Sequence, residues 1–327
     1  MRDMTETKFQ IPTVSVVIPV YNHAHKVRSA IHSVLSQSYQ DYELIVVNDG
    51  STDHLIEVLQ AFDHIQLIQH AENKGRAAAR NSGVLAASGQ YIAFLDADDT
   101  WMPEKLEKQL GFLDHHPEIS ICLTGFEFVP ARGERRTVRL PKVSSWERYL
   151  LKHIGFPDGS IPLISKTCFD EIGLQDTDFV WHENWEWLLR ASSHYRIGVL
   201  DHILVVKHKG KKRPPAALKE SAALQFSEKY KLLFQKYGIY GKSALSLKWF
   251  DIAIAFFHER DFQSGRKYLY KAIRTWPFQK AGLYFRIFDS FSGTDTEYIL
   301  YTIRAKMEKI CRPLQKKTLS KLKVSDG

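Results

Sequence analysis

The first 130 residues alternate between short unbroken apolar runs and stretches whose apolar positions recur at helical spacing. Runs with no polar face read as strands buried on both sides, and they predict strands near 14–19, 42–47, 65–68, 91–95 and 120–128. The stretches between them predict helices near 24–37, 53–62, 74–87 and 103–113; the first carries Val27, Ala30, Ile31, Val34 and Leu35 on one face. Strand–helix alternation of this kind is the signature of βαβ units, so the fold class is α/β, Rossmann-like, with a mostly parallel sheet. Beyond Pro215 the strand signals fade. Ile252 to Phe257 and Ala272 to Pro277 predict an α-hairpin, read as a helical appendage rather than one unit of a repeat array.

Three of the predicted strands end in polar residues. The run from Tyr91 stops in Asp96, Ala97, Asp98 and Asp99. The first strand ends in Pro19, Val20, Tyr21 and Asn22, and the second in Asn48, Asp49, Gly50, Ser51, Thr52 and Asp53. Gly50 permits a tight turn there, and Ser51 or Thr52 can cap the next helix. Open α/β sheets bind ligands at the C-terminal ends of their strands. Three close carboxylates repel one another unless a cation sits between them, and oxygen ligands suit Mg²⁺ or Mn²⁺, which bind substrate phosphates as well. Taken alone, the acidic run reads equally as a solvated turn capping the helix from Pro103. Together, the three endings point to a nucleotide crevice.

The segments SVVIPVYN, VVNDGSTD, NKGRAAARNSGVLAASGQYIAFLDADD and HENWEWLLR, in that order between about Val14 and His208, resemble the motif series of the family-2 glycosyltransferases with the GT-A fold. The resemblance implies a tail over 1–11, a GT-A nucleotide-sugar-binding catalytic domain over 12–214 and a basic helical domain over 215–327. It implies an inverting, metal-dependent transfer of a sugar from a nucleoside-diphosphate sugar, UDP-linked, to a glycan or lipid-linked acceptor in cell-surface polysaccharide or glycolipid synthesis. Asp96 would face the ribose, and Asp98 would hold the Mn²⁺ or Mg²⁺ that bridges the diphosphate, with Asp99 in support. Asp49 would accept the uracil N–H, with Pro19, Val20 and Tyr21 lining the base pocket and Asn22 and Ala97 in the same nucleotide-binding segments. Arg80 resembles the family arginine that approaches the nucleotide. Lys74, Gly75 and Arg76 open a helix, and a helix N-terminus with basic side chains favours anions; Lys74 and Arg76 read equally as solvated charges. His208, amid Lys207, Lys209, Lys211, Lys212 and Arg213, resembles a histidine that meets the metal or the diphosphate.

The base is where the chain departs from the family. An inverting transferase deprotonates the acceptor hydroxyl with a carboxylate, usually the aspartate of a segment like EDWEFLLR. Here the segment is Glu183-Asn184-Trp185-Glu186-Trp187-Leu188-Leu189-Arg190, and the amide of Asn184 cannot accept a proton near neutral pH. Glu183, adjacent, is the preferred base. Glu186, three residues on and on roughly the same helix face, is the second choice. The third reading is a weakly active or non-catalytic sugar-nucleotide-binding protein. Trp181, Trp185 and Trp187 offer stacking surface for a sugar, although tryptophans on one helix more often pack as core. The segment Gly155–Ser160 is the expected acceptor loop. A nucleotidyltransferase would want a glycine-rich basic loop after the first strand, which Tyr21-Asn22-His23-Ala24-His25 lacks.

Composition adds the charge asymmetry. The 327 residues are 44% hydrophobic and 25% charged, ordinary for a globular protein. Residues 216–327 hold 21 Lys and Arg against 10 Asp and Glu, whereas residues 1–215 hold 24 against 27, so the whole excess of +8 belongs to the tail. The basic run from Arg304 to Lys323, interleaved with Ile303, Met307, Ile310, Leu314, Leu319 and Leu322, suits an anionic membrane surface. No nucleic-acid-binding motif accompanies it. No stretch reaches the roughly 18 apolar residues of a membrane span, and the mixed-charge N-terminus is unlike a signal peptide. The expected location is cytoplasmic, peripheral on the inner face of the membrane, with the oligomeric state open. Cys122, Cys168 and Cys311 lack metal spacing, and the first two are expected to pack as small apolar residues.

Overall fold

The computed structural model of the chain describes residues 11–130, 133–153, 159–179, 181–208 and 214–277. The chain divides into two compact units, Met1–Pro214 and Pro215–Gly327. In the first, β1 (Val14–Val20), β2 (Tyr42–Asn48), β3 (Ile65–Gln69) and β4 (Tyr91–Phe94) are joined by α1 (Ala24–Leu35), α2 (Leu55–Leu59) and α3 (Arg76–Ala86). The four strands lie parallel in the order β3-β2-β1-β4. Val16, Val17 and Ile18 of β1 and Ile45, Val46 and Val47 of β2 are fully buried, as unbroken apolar runs require. A Cβ on Gly83 of α3 would fall 2.2 Å from a Val17 methyl, so glycine there lets the helix lie close on β1.

The chain then continues through β5 (Thr100–Trp101), α4 (Lys105–His115), β6 (Ile119–Val129), β7 (Arg136–Val138), α5 (Trp146–Lys152), β8 (Leu163–Ser165), α6 (Lys166–Ile172), α7 (Glu183–Ala191) and β9 (Arg196–His208). The full sheet runs β3-β2-β1-β4-β8-β6-β9-β5, with β7 on β6. The strand predicted at 120–128 is therefore not beside β4: three-residue β8 enters between them, antiparallel to both. A segment that short carries no periodicity of its own, and only its buried Leu163 and Ile164 mark it. β6 pairs with β9 in parallel, and β5 pairs with β9 antiparallel, drawing the residues after Asp99 alongside Val205 and Val206.

The second unit contains α8 (Ala216–Lys229), α9 (Lys231–Lys236), α10 (Gly238–His258) and α11 (Phe262–Thr275). Trp249, Phe250, Ile252, Ala253 and Phe256 of α10 pack with Tyr268 and Ala272 of α11 and with Ala216. The predicted hairpin is the α10–α11 pair; both helices start well before the apolar pattern indicated, and α11 ends at Thr275, short of Pro277. The basic run from Arg304 to Lys323 lies outside the described residues. Cys122 and Cys168 are buried free thiols, and burial pushes each up to about 12.

Candidate functional site

The ends of β1 and β2 are bound to one another. Asn22 sits in left-handed backbone (φ 53°), an arrangement asparagine tolerates better than most residues, and its Oδ1 accepts from the Thr52 amide at 2.8 Å. Its own amide donates to Ser51 Oγ at 3.0 Å. Gly50 is also left-handed (φ 69°), and a Cβ there would lie 2.4 Å from the Glu72 backbone. The turn after β2 thus presses on the segment leading into α3.

Asp49 closes that contact. Its Oδ1 accepts from the Lys74 amide at 2.9 Å and lies 2.7 Å from His70 Nδ1, while Oδ2 accepts from the Gly75 amide at 2.9 Å. His70 in turn lies 2.9 Å from Ser82 Oγ. The carboxylate is 2% exposed and fixes the start of α3, a structural task beside the base binding that the resemblance implies. His70 was missed because a single histidine in a polar stretch carries no sequence signal. Of the other base-pocket candidates, Tyr21 is exposed and Pro19 half-buried, but the Val20 side chain lies in the core; only its carbonyl, which accepts from the Asp49 amide, faces this region. Lys74 is exposed.

Arg80 is the centre of the site. It is fully buried, yet one Nη donates to Asp96 Oδ1 at 2.6 Å and the other to Glu183 Oε1 at 2.8 Å. Burial opposes its charge, but Asp96 and Glu183 more than offset this and raise its pKa. Burial likewise pushes the Asp96 carboxyl up; Arg80 first, then Lys207 and Arg76, override it and hold the group at about 2. Arg76 Nε approaches Glu183 Oε1 at 3.3 Å, with its guanidinium 5.3 Å from the Trp181 ring centroid. Motifs separated by 103 residues therefore meet at one guanidinium.

The remaining acids of the run have different fates. Asp99 is 2% exposed and accepts from Ser160 Oγ (2.7 Å), Lys207 Nζ (2.9 Å) and the His208 amide (3.1 Å), so it joins the end of β9 to the Ser160 segment. Ser160 Oγ also accepts from the Asp96 amide. Asp98 is partly exposed, and its Oδ2 meets Lys26 Nζ at 3.1 Å. Ala97 is buried and His208 exposed at the end of β9. Among the described residues no group of three or more His, Cys, Asp or Glu side chains is arranged to hold a metal ion.

At the start of α7, His182 is left-handed (φ 68°) and turns the chain so that Glu183 points to Arg80. Asn184 Oδ1 accepts from Gln175 Nε2 at 2.7 Å, and the Gln175 backbone is held by both ends of the Asn81 amide. A Cβ on Gly159 would lie about equally near Arg80 and Asn184, which places the described end of the expected acceptor loop over this corner; residues 154–158 lie outside the described residues. Glu186 is fully buried and bound to Arg190 at 2.9 Å, and Arg190 also donates to the Ile172 and Leu174 carbonyls. That makes Glu186 an anchor for the Ile172–Leu174 turn. Trp185 and Trp187 are core, donating to the Leu150 and Gly173 carbonyls, which leaves Trp181 as the half-exposed ring beside Glu183.

A family model described as glycosyl transferase family 2 matches residues 15–173. The chain is 40% identical over 126 residues to the putative teichuronic acid biosynthesis glycosyltransferase TuaG of Bacillus subtilis (strain 168), covering 37% of this chain and 50% of that protein. It is 32% identical over 238 residues to the uncharacterized glycosyltransferase RP339 of Rickettsia prowazekii (strain Madrid E), covering 68% of this chain and 70% of that one. The chain thus spans half the length of TuaG. Among solved structures, S. aureus TarS 1–349 in complex with UDP-GlcNAc superposes with a TM-score of 0.55 at 15% identity, over 80% of this chain and 92% of TarS 1–349. At that identity the likeness speaks for the fold, and the fold is the GT-A arrangement that the motif series implies.

Proposed function

Because this chain belongs to glycosyl transferase family 2, we propose that it transfers a sugar, with inversion, from a UDP-sugar to a glycan or lipid-linked acceptor in cell-surface polysaccharide synthesis. The observation that carries the reading is Arg80, buried between Asp96 and Glu183. It joins the carboxylate placed for the donor to the carboxylate placed for the acceptor, so the two substrates would meet at one rigid corner. The UDP-GlcNAc complex of TarS supports a UDP-linked donor, and the teichuronic acid role in TuaG's name supports a polysaccharide acceptor.

In the displacement, the acceptor hydroxyl gives its proton to Glu183 as its oxygen bonds to the anomeric carbon, and the bond from that carbon to the diphosphate breaks with its electron pair on phosphate oxygen. Both guanidinium contacts to Glu183 fall on Oε1, which leaves Oε2 to take the proton. Arg80 orients the carboxylate, and Trp181 offers the acceptor sugar a face. Asp96 faces the ribose, and Asp49, with one lone pair of Oδ2 uncommitted, takes the base N–H.

Of the three acids of the run Asp98 is the one a divalent cation could take, since such an ion is held by one or two carboxylates together with substrate phosphates. Asp98 Oδ2 already carries a positive charge, the Lys26 ammonium, and Asp96, Asp99 and Glu183 are matched by Arg80, Lys207 and Arg76. A diphosphate entering this balanced cluster brings uncompensated negative charge. Asp98 and His208 would hold Mn²⁺ or Mg²⁺, which neutralises the diphosphate as it leaves.

The test is hydrolysis and transfer with a panel of UDP- and GDP-sugars, together with Glu183→Gln. The expected outcome is UDP-sugar turnover that Glu183→Gln lowers by about two to four orders of magnitude at unchanged UDP affinity. A second reading, a weakened or non-catalytic sugar-nucleotide-binding protein, is favoured by Asn184, whose carbonyl is committed to Gln175. It gains if Asn184→Asp raises turnover strongly while Glu183→Gln changes little. Among the described residues no helix is long and apolar enough to cross a membrane; a lipid-linked acceptor would be met from the cytoplasmic face.

A further inference from the structure

Lys26 stands in the first turn of α1, where the helix's own partial positive charge disfavours a cation, and no acidic residue shares that turn. The helix start is served by Asp53, whose Oδ2 accepts from the Ala24 amide at 2.9 Å. The Lys26 ammonium instead reaches Asp98 Oδ2, 72 residues away in sequence. The neighbouring pair makes the contrast. Lys207 and Asp99 are 13% and 3% exposed, and Asp99 also holds Ser160 and the His208 amide, so that pair is built into the fold. Lys26 and Asp98 are 34% and 22% exposed, and Asp98 makes no other hydrogen bond among the described residues.

We propose that Lys26 is a tethered counter-ion that competes with the divalent cation for Asp98. This rests on the metal reading above. An ammonium and a divalent ion held on one carboxylate lie only a few ångströms apart, and their repulsion makes each weaken the other's hold on Asp98. The ammonium therefore neutralises Asp98 in the donor-free protein, offsetting the repulsion between Asp96, Asp98 and Asp99, and leaves when the ion and its diphosphate arrive. A lysine on a flexible stem is suited to that exchange. The cost is a metal affinity reduced by the fraction of molecules in which the pair is closed.

The experiment measures UDP binding to the full chain by calorimetry over a series of Mn²⁺ concentrations, in wild type, Lys26→Met and Lys26→Arg. Lys26→Met is expected to lower the half-saturating Mn²⁺ by about threefold to fivefold, the worth of a partly exposed ion pair, while Lys26→Arg, which keeps the tethered charge, stays at the wild-type value. An unchanged or raised midpoint in Lys26→Met overturns the proposal and leaves the metal reading standing. UDP binding indifferent to Mn²⁺ in all three proteins overturns both. Titration of Mn²⁺ alone, followed by the EPR signal of the free ion, reads the same competition without nucleotide; equal affinity in wild type and Lys26→Met there also overturns it.

Discussion

Basic side chains are placed differently in the two units. In the first unit Arg80, Lys26 and Lys207 each lie within 3.1 Å of a carboxylate, and half-exposed Arg76 within 3.3 Å. In the second, Lys219 meets the exposed Asp251 carboxylate at 2.9 Å, whereas the Lys248 amine lies 3.9 Å from the Phe226 ring centroid and Lys271 lies 3.6 Å from that of Trp249. A ring face attracts a cation weakly and without fixed direction, whereas a carboxylate fixes it and can be exchanged for a ligand's phosphate. Paired charges at the strand ends thus suit the binding site proposed above. Lysines laid on aromatic rings are part of how a small helical unit fills its core.

The hardest test of that contrast is Arg80→Met. It leaves Asp96 and Glu183 facing one another with Lys207 and Arg76 as the neighbouring cations, and breaking a buried ion pair from one side costs about 3–5 kcal/mol. Chemical denaturation should show a loss of that size, together with loss of any transfer activity. A variant as stable as wild type would mean that water already reaches Asp96 and Glu183, and that the corner is not rigid.

How much of this could be read in advance differs along the same lines. The parallel half, β3-β2-β1-β4, was legible because each strand is an unbroken apolar run ending in polar residues. β8 was not, since three residues leading straight into a helix hold no periodicity, and its place is set by partners on β4 and β6. Arg80 could be named from its motif, but its reach to Glu183 could not, because the contact spans 103 residues. The fate of each acid in Asp96-Ala97-Asp98-Asp99 was likewise hidden: one is held by arginine, one by a surface lysine and one by the end of β9. Identical side chains in one short run were separated by tertiary partners alone.

Lys105 blurs the boundary between the two kinds of cation, and it carries a pH signature. It is buried in the first unit, yet it lies 4.0 Å from the Trp101 ring centroid and donates to Gln109 Oε1 at 2.7 Å, as a core lysine of the second unit would. Burial pushes its pKa down to about 7, with Cys122 opposing. In the unfolded chain the group stays protonated up to its ordinary value near 10.5. Between those values the unfolded state binds more protons, so this residue makes stability rise with pH; below about 7 the full penalty of burying the charge is present. The difference in unfolding free energy between wild type and Lys105→Met should therefore shift in favour of wild type from pH 6.5 to 9.5. A difference that is flat over that range would mean the ammonium stays charged in place, and Lys105 would join the paired class.

The smallest effect belongs to Lys271. It lies over Trp249 and 5.7 Å from the Tyr268 ring centroid, on the hairpin that forms the core of the second unit. Burial lowers its pKa, with Lys267 adding to the effect and the Glu220 carboxylate opposing it. A cation on an aromatic face contributes about 0.5–2 kcal/mol, and methionine keeps most of the aliphatic packing of the stem, so Lys271→Met should cost at most about 1 kcal/mol. The sharper measurement is the coupling between Lys271→Met and Trp249→Leu in a double-mutant cycle, which isolates the pair from the packing each residue makes alone. Coupling near zero would reduce Lys271 to a stem lying over a ring. Coupling above about 0.5 kcal/mol would make the ring face a real, if weak, counter-ion, and the two units would differ in the strength of their pairing rather than in its presence.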